Sequence, residues 1–191
     1  MNEHKLLIDN IREKVNISEE DIAKLIPYFK LKYIKKKKDL NRIGDNCNEL
    51  TFVVEGALRS YSIDDKGNEH VSQIALEEYW IGDVFSFVTG KPSLFAVEAI
   101  EDSKLLVISA YDLDRIYLEV PIMERFFRKL FENAYVAATM RINSSNSDQA
   151  DLRYKTLIKT FPSIAERIPL IHIASYLGIT PESLSRIRKN I

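Results

Sequence analysis

Hydrophobic and polar positions change their spacing twice along the chain. Before residue 31, apolar side chains recur every three or four positions, as Leu7, Ile11 and Val15 do, and this predicts helices. From residue 31 the apolar runs become short and often alternate with polar residues, which predicts strands. Helical spacing returns at Ser109, which forms a capping-box pattern with Asp112. The pattern therefore predicts a β-rich region between two helical regions.

The β-rich region is predicted to form a barrel or a sandwich-like jelly roll. Turn residues such as Gly56 and Gly67 separate its runs. Short strands interrupted by turns at intervals of about 8–12 residues are typical of these two architectures. The predicted strands cover 51–54, 57–63, 70–76, 94–100 and 104–108.

A long helix is predicted to begin at Pro121 and to run to about residue 142. Its apolar side chains fall on two adjacent rows, which together are too wide for one packing partner. One row can pack on the β-domain while the other contacts a second copy of the helix, and the small residues Ala134, Ala137 and Ala138 permit a close approach. The rows are Met123, Phe127, Leu130, Ala134 and Ala137, and Phe126, Phe131, Tyr135 and Ala138.

The polar segment 143–148 follows this helix. Its Asn and Ser side chains compete for backbone hydrogen bonds, so we interpret the segment as a hinge; the alternative is that the helix continues through it. Beyond the hinge we expect a helix over 150–160, a break at 161–163 and a final helical pair.

The final helical pair carries the clearest signal in the sequence. Two short helices that cross steeply need a small side chain at their contact and a glycine in the turn, and Ala174 and Gly178 supply them. Thr180 can cap the second helix, and Pro181 suits its first position. The apolar residues that hold the pair together are Ile173, Leu177, Ile179, Leu184 and Ile187. Residues 170–189 therefore predict a helix-turn-helix.

The polar face of the second helix carries side chains that suit DNA. Glu182 and Arg186 lie four residues apart on this face, and in a major groove arginine pairs with guanine while glutamate accepts from cytosine. Arg188 and Lys189 are placed for phosphates. The predicted DNA-binding residues are Thr180, Glu182, Ser183, Ser185, Arg186, Arg188 and Lys189. The alternative is an αα-hairpin in which Glu182 and Arg186 form only a solvated salt bridge.

The distribution of charge agrees with a DNA-binding module. Residues 149–191 carry seven basic and three acidic side chains, a net charge of +4 against −5 for the rest of the chain. A basic segment on an acidic body is typical of DNA binding by that segment, and the alternative is an asymmetry that arose by chance. The four lysines at 35–38 are interpreted as a solvated edge that discourages strand pairing, with a nucleic-acid patch as the alternative.

Composition and motifs exclude several other classes of protein. No apolar run is long enough to span a bilayer and no secretory signal is present, so we expect a cytoplasmic protein that does not enter a membrane. The sequence lacks catalytic and phosphate-loop motifs, so we do not expect an enzyme. The single cysteine, Cys47, excludes an intramolecular disulfide.

The sequence resembles the Crp/Fnr family of transcription regulators over about residues 20–191. Residues 52–59 are similar to the family's strand–turn–strand with its x-x-Gly-x-x-Arg signature. Residues 79–85 are similar to its Gly-Asp segment, and 98–108 to its closing strands. The long helix and the helix-turn-helix follow in the family's order.

The resemblance implies an α+β fold in three parts. These are a cyclic-nucleotide-binding-like β-roll (jelly roll) with flanking helices over 1–120, a dimerisation helix and hinge over 121–147, and a small all-α helix-turn-helix domain over 148–191. It implies a homodimer on a pseudo-palindromic operator in double-stranded DNA, with RNA polymerase and a small-molecule effector as further partners. Glu182 and Arg186 match the family's base-reading pair. The alternative function is a ligand-binding regulatory module that acts on a protein partner.

The effector region departs from the family pattern. Members that bind cyclic nucleotides hold the phosphate with an arginine that is absent here, so we do not expect cAMP binding. Gly82, Asp83, Lys91 and Ser93 are predicted to line a pocket for another effector, or are only turn residues of the roll. With one cysteine and three scattered histidines, we expect neither haem nor an iron–sulfur cluster, and no metal or other cofactor. The sequence ends four residues after Ile187, so we also expect no β-wing.

Overall fold

The computed structural model describes residues 3–190, apart from the side chains of residues 146 and 147. This part of the chain forms nine α-helices, eight β-strands and a 3₁₀ turn at Ile26–Tyr28. The helices are α1 (His4–Arg12), α2 (Glu19–Leu25), α3 (Val84–Thr89), α4 (Ala110–Glu119), α5 (Ile122–Ser147), α6 (Ala150–Thr160), α7 (Ile164–Arg167), α8 (Leu170–Leu177) and α9 (Pro181–Lys189). The strands are β1 (Lys30–Ile34), β2 (Asp39–Asn41), β3 (Glu49–Glu55), β4 (Leu58–Ile63), β5 (Glu69–Ala75), β6 (Trp80–Ile81), β7 (Ala96–Ala99) and β8 (Ser103–Ser109). The α+β class predicted from the sequence is confirmed.

The eight strands form two antiparallel sheets of four strands each, which together make the predicted β-roll. The strand order is β1-β8-β3-β6 in the first sheet and β2-β7-β4-β5 in the second. The five strands predicted individually correspond to β3, β4, β5, β7 and β8. Side chains from both sheets meet in a buried cluster inside the roll: Val53, Leu58, Ala75, Ile81, Val97, Ala99, Leu105 and Val107.

The first sheet is buried on both faces because its central strands are apolar at consecutive positions. Val53 of β3 points into the roll, whereas its neighbour Phe52 joins the cluster on the outer face. Leu105 and Leu106 of β8 divide in the same way. Successive side chains of a strand point to opposite faces, so a continuous apolar run places hydrophobic surface on both.

Helices from both ends of the strand region cover that outer face. Leu7 of α1 and Phe126 of α5 are fully buried there, and the indole of Trp80 on β6 has its ring centroid 6.0 Å from that of Phe126. Serine hydroxyls cap two of the helices, α2 at Ser18 and α4 at Ser109, where the sequence predicts a capping box. The Ser18 hydroxyl accepts from the amide of Asp21 at 3.1 Å, and the Ser109 hydroxyl accepts from the amide of Asp112 at 3.0 Å.

Burial of the long helix α5 differs between its two halves rather than between two lateral rows of side chains. Its first turns carry Met123, Phe126 and Phe127, which are buried against the roll. From residue 132 onward nearly every described side chain of the helix is exposed, among them Tyr135 and Met140. The prediction that one lateral row faces the roll and the other a partner is therefore corrected: the first half is covered and the second half is open.

The hinge predicted at 143–148 is wrong in its position, because α5 continues through this segment to Ser147. The Ser145 hydroxyl donates back to the carbonyl of Ile142 at 2.7 Å, and the Ser144 hydroxyl donates to Asp148 at 2.6 Å. These bonds satisfy the hydroxyls within the helical conformation, so they do not compete with it. The backbone leaves the helix only at Asp148, where φ is −94° and ψ is 148°.

Five short elements lie outside the strands and helices that the sequence predicts: β1, β2, β6, α3 and α7. The lysine run 35–38 forms the turn between β1 and β2, with Lys37 at a φ of 63° and Lys35 donating to Asp102 at 2.7 Å. The four lysines are exposed, as predicted, but they turn the chain instead of lining a strand edge.

Helices α6 to α9 form the C-terminal module, residues 150–190. Its core includes Tyr154, Leu157, Ile173 and Leu184, all buried. This core is continuous with the second sheet, from which Val71 and Ile74 of β5 join the same cluster, as do Ala57, Leu76 and Ile100 directly beside its strands. The module is therefore packed on the β-roll through an apolar contact.

Candidate DNA interface

The turn between α8 and α9 has the geometry that the sequence predicts. Gly178 has a φ of 68°, the left-handed conformation that glycine adopts without steric cost. The amide of Ile179 donates to the carbonyl of Ala174 at 3.0 Å and closes the turn. Ala174 and Leu184 are fully buried where the two helices meet. The predicted helix-turn-helix is confirmed in its helices, its turn and its packing.

The start of α9 is fixed by the predicted cap. The Thr180 hydroxyl accepts from the amide of Ser183 at 3.2 Å, and Pro181 occupies the first turn. A capping hydroxyl satisfies one backbone donor that the first turn of a helix leaves unpaired. The beginning of α9, which presents Glu182 and Ser183, is therefore held in one conformation.

One face of α9 is open to solvent. The buried Leu184 and the half-buried Ile187 anchor the opposite face in the core of the C-terminal module. Ser183 is half-buried, and its hydroxyl oxygen lies 3.4 Å from a terminal nitrogen of Arg186, which donates to it. The remaining predicted DNA-binding residues are all exposed: Thr180, Glu182, Ser185, Arg186, Arg188 and Lys189.

The charges on α9 follow the direction of the helix dipole. The pKa of Glu182 lies below its ordinary value because backbone and Thr180 hydrogen bonds stabilise the carboxylate, with a further contribution from the charge of Arg186. The basic side chains Arg186, Arg188 and Lys189 are in the last turn, where the helix C-terminus favours cations. The helix thus presents an ionised acceptor at its start and a cluster of cations at its end.

The second half of α5 exposes an apolar surface. Tyr135 is 74% exposed, Met140 66% and Ile142 59%. Ala134, Ala137 and Ala138 lie among them and are also exposed. Large apolar side chains that are grouped on one exposed helix usually indicate an interaction surface.

Two of the predicted effector residues, Asp83 and Ser93, are hydrogen-bonded to each other. The buried Asp83 carboxylate caps α3 by accepting from the amide of Ser86 at 3.1 Å. It also accepts from the Ser93 hydroxyl at 2.7 Å and from the amides of Leu94 and Phe95 at 2.8 and 3.1 Å. The hydrogen bonds outweigh the effect of burial, which alone would raise the pKa of Asp83, and the net shift is downward. Asp83 therefore acts as an internal anion that organises this segment.

The other two residues of the predicted pocket differ in their surroundings. Lys91 is exposed, while Gly82 lies so close to β3 that an added Cβ would be 3.3 Å from the carbonyl oxygen of Glu49. Two open clefts, of about 390 and 260 Å³, lie elsewhere on the described residues and are lined by neither Gly82 nor Lys91. An effector pocket at these residues stays a prediction.

Residues 3–190 contain neither a candidate metal site nor a candidate membrane-spanning helix. Within them no three His, Cys, Asp or Glu side chains are grouped so that they could hold a metal ion. No helix in that part of the chain has the length and apolar character needed to cross a bilayer.

Two residues that the sequence did not connect lie together where the modules meet. Arg59 belongs to the x-x-Gly-x-x-Arg pattern of β4, and His172 lies 113 residues away on α8, yet their side chains are 3.2 Å apart. The family pattern singles out Arg59, but no local spacing in the sequence indicates its partner. Only the packing of the C-terminal module on the second sheet brings them together.

Comparison with known proteins agrees with this geometry. The profile of the cyclic nucleotide-binding domain family matches residues 31–119. The "Fumarate and nitrate reduction regulatory protein" of Vibrio cholerae is 24% identical over 167 residues, which cover 82% of this chain and 66% of that protein. The chain thus spans about two thirds of the length of this curated relative.

Solved structures show the same fold. FixK2 from Bradyrhizobium japonicum superposes with a TM-score of 0.72 at 17% identity, covering 85% of this chain and 83% of that chain. A protein assigned to the Crp/Fnr family from Eubacterium rectale has a TM-score of 0.68 at 19% identity, covering 100% of this chain and 87% of that chain.

The fold and the exposed face of α9 define a class of protein in which a cyclic-nucleotide-binding-type β-roll is joined to a helix-turn-helix. Residues 31–119 match the cyclic nucleotide-binding domain family, and the chain is similar in sequence and fold to transcription regulators of the Crp/Fnr type.

Proposed function

We propose that this protein is a homodimer that binds double-stranded DNA by inserting α9 of each subunit into the major groove. The observation that carries the proposal is the open face of α9, on which Glu182, Arg186 and Lys189 are exposed while Leu184 anchors the helix. We assign a different role to each predicted part of the chain: sensing to 1–120, dimerisation to 121–147 and DNA binding to 148–191. This is a binding function in the cytoplasm, and it assigns no reaction to the chain.

In this proposal the residues of α9 have two different roles. Arg186 and Glu182 read bases, because arginine pairs with the O6 and N7 of guanine and glutamate accepts from the amino group of cytosine. Arg188 and Lys189 contact phosphates and supply affinity without sequence preference, and the hydroxyls of Thr180, Ser183 and Ser185 contact bases or phosphates. The charges at both ends of α9 support this division.

The exposed half of α5 is the proposed dimer contact. Met140 and Ile142 would be covered by the same helix of a second subunit, and Ala134, Ala137 and Ala138 permit a close approach. A twofold dimer presents two copies of α9 about 34 Å apart, one helical turn of DNA. The operator is therefore expected to be a pseudo-palindrome.

The effector and RNA polymerase are the other partners that we propose. Arg59 already donates to Glu69 and Glu98, and the amides of Leu94 and Phe95 already donate to Asp83. Donors already satisfied by an internal carboxylate are poorly available to a cyclic phosphate, which supports an effector other than cAMP.

Selection of bound fragments from a random DNA library at a fixed, low salt concentration tests the proposal. The wild-type protein should enrich a pseudo-palindromic sequence. Absence of enrichment for any sequence at every protein concentration would contradict the proposal and favour the alternative, a module that acts on a protein partner.

Two substitutions on α9 separate the proposed roles. Arg186→Ala should weaken binding to the selected operator by about 1–3 kcal/mol for each half-site while leaving binding to random DNA nearly unchanged. Lys189→Ala should weaken both and reduce the salt slope by about one per site. Lys155→Ala, which removes an exposed lysine of the same module outside α9, is the matched control. Equal losses on operator and random DNA in the Arg186→Ala variant would remove its base-reading role.

A further inference from the structure

The C-terminal module and the β-roll are joined by polar contacts as well as by their shared apolar cluster. Arg141 near the end of α5 donates to the carbonyl of Ser72 on β5 at 2.6 Å, and its guanidinium lies 5.2 Å from the centre of the Tyr176 ring on α8. Strand β5 is at the edge of the second sheet, and α8 packs along it. The orientation of the helix-turn-helix relative to the roll is therefore set at this strand.

Arg59 of β4 lies at the centre of the polar contact. Its side chain is only 5% exposed, and its guanidinium stacks on the Tyr61 ring at 4.1 Å. Its Nε donates to Glu98 at 2.7 Å, and a terminal nitrogen donates to Glu69. That same nitrogen lies 3.2 Å from Nδ1 of His172 on α8. Arg59 thus joins three strands of the roll to the first helix of the helix-turn-helix.

The contact between Arg59 and His172 fixes the protonation state of the histidine. A guanidinium has donors and no acceptor, so Nδ1 must accept the hydrogen bond. An imidazole can accept at Nδ1 only when it is neutral and carries its proton on Nε2. Protonation of His172 would place two donors and two positive charges against each other at 3.2 Å.

Ser175, one turn further along α8, also forms hydrogen bonds to the β-roll. Its hydroxyl accepts from the amide of Val71 at 2.9 Å and donates to the carbonyl of Glu69 at 3.1 Å. These are backbone groups of the edge strand β5. The amide of Val71 therefore reports directly on whether α8 is seated on the roll.

We propose that His172 is a pH-sensitive latch between the β-roll and the C-terminal module. The neutral imidazole accepts from Arg59 and holds α8 on β5. Protonation breaks this contact and loosens the module from the roll. The latch couples the acidity of the surroundings to the orientation of α9.

Burial and the charged groups around His172 together determine the direction in which its pKa shifts. Arg59 faces it from β4, Glu69 from β5 and Glu98 from β7. Burial is the largest influence and lowers the pKa of His172; the charge of Arg59 lowers it further, and the two carboxylates oppose them, so the net shift is downward from 6.5. The undocked histidine, in water, takes up a proton at a higher pH than the docked one. The stabilisation of the docked state is therefore complete above pH 6.5 and is lost as the pH falls below that value.

Hydrogen exchange on the full chain tests the latch. Between about pH 8 and about pH 5, and after correction for the intrinsic exchange rate, the amide of Val71 in the wild-type protein should lose protection several-fold relative to the amides of β3. In the variant His172→Asn, the amide oxygen takes the place of Nδ1 and can still accept from Arg59, but it does not titrate. This variant should keep its protection across the range.

His70→Asn is the matched control. His70 also lies on β5, but its ring is exposed and bonds to Asp64 in the adjoining turn, so this variant should respond to pH as the wild type does. The proposal is overturned if the wild type shows no selective loss at Val71, or if His172→Asn shows the same loss. A ring titration of wild-type His172 by NMR provides a second test that needs no variant: a midpoint at or above that of a free histidine also overturns the proposal. Neither measurement involves DNA, so failure here leaves the proposed DNA binding untouched.

Discussion

Replacement of Arg167 by alanine tests the ionic contact that joins α7 to the β-roll. The guanidinium donates to both oxygens of Glu77, at 2.7 and 2.8 Å, and to Glu101 at 2.7 and 3.2 Å. A hydrogen bond to a charged group contributes about 1.5–3 kcal/mol, but these three side chains are each between a quarter and a third exposed, so water screens them. Alanine would also leave two carboxylates facing each other. We expect the free energy of unfolding to fall by about 2 kcal/mol.

Urea unfolding followed by circular dichroism and by the fluorescence of Trp80 measures this loss. The control is Lys155→Ala in the same module, whose pair with Asp151 is exposed and spans 3.5 Å, so that its loss should cost only about 0.3–0.5 kcal/mol. If Arg167→Ala costs no more than this control, the contact does not hold the modules together and our reasoning about it is wrong.

The effect of Arg167→Ala should depend on pH through Glu77. Burial alone would raise the pKa of Glu77, but hydrogen bonds from Arg167 and from the amide of Gly56 leave it below the ordinary value of 4.5. A lowered pKa stabilises the folded protein above the unfolded value, and this stabilisation is lost as the pH falls through the folded value. The difference in stability between wild type and variant should therefore shrink in acid below pH 4.5.

Three further substitutions, two of them with a matched control, test the turn at Gly56, the cap of α9 and the proposed dimer contact. Gly56→Ala should be strongly destabilising in thermal unfolding, because φ is 100° and the new Cβ would meet the Ser103 hydroxyl at 2.3 Å. Gly67→Ala, with a φ of 83° and open space around it, should show only the cost of backbone strain, about 1 kcal/mol; equal losses would refute the clash. Thr180→Ala should cost about 1 kcal/mol through loss of the α9 cap, and an unchanged unfolding midpoint would count against that cap. Met140→Glu should shift sedimentation equilibrium from dimer to monomer, whereas Leu118→Glu, at an exposed site on α4, should not; a dimer that persists in Met140→Glu would place the contact elsewhere.

Local chemistry explains why the helix-turn-helix could be predicted. The left-handed turn at Gly178, the cap at Thr180 and the first-turn Pro181 each act over three or four residues, and the structure contains all three. The short helix α3 was not predicted, although Asp83 caps it, because its apolar Val84 and Val88 face solvent and give no amphipathic pattern directed at a core. The spacing of apolar residues predicts a helix only where one face of that helix is buried.

Features that depend on distant parts of the chain could not be predicted. The hinge was misplaced for a local reason, because the hydroxyls of Ser144 and Ser145 form hydrogen bonds three or four residues away that are compatible with the helix. The lengthwise division of α5 depends on where the β-roll ends, and the spacing of apolar residues does not specify this. The contact between Arg59 and His172 spans 113 residues and exists only because α8 packs on β5.

Methylation interference on the selected operator tests most directly whether two copies of α9 occupy the major groove. N7 of guanine lies in that groove, where Arg186 is proposed to bind, so methylation there should block binding at two clusters of guanines centred about 10 base pairs apart. The Arg186→Ala variant should lose this pattern. A single cluster, or binding that tolerates N7 methylation at every guanine, would contradict the account.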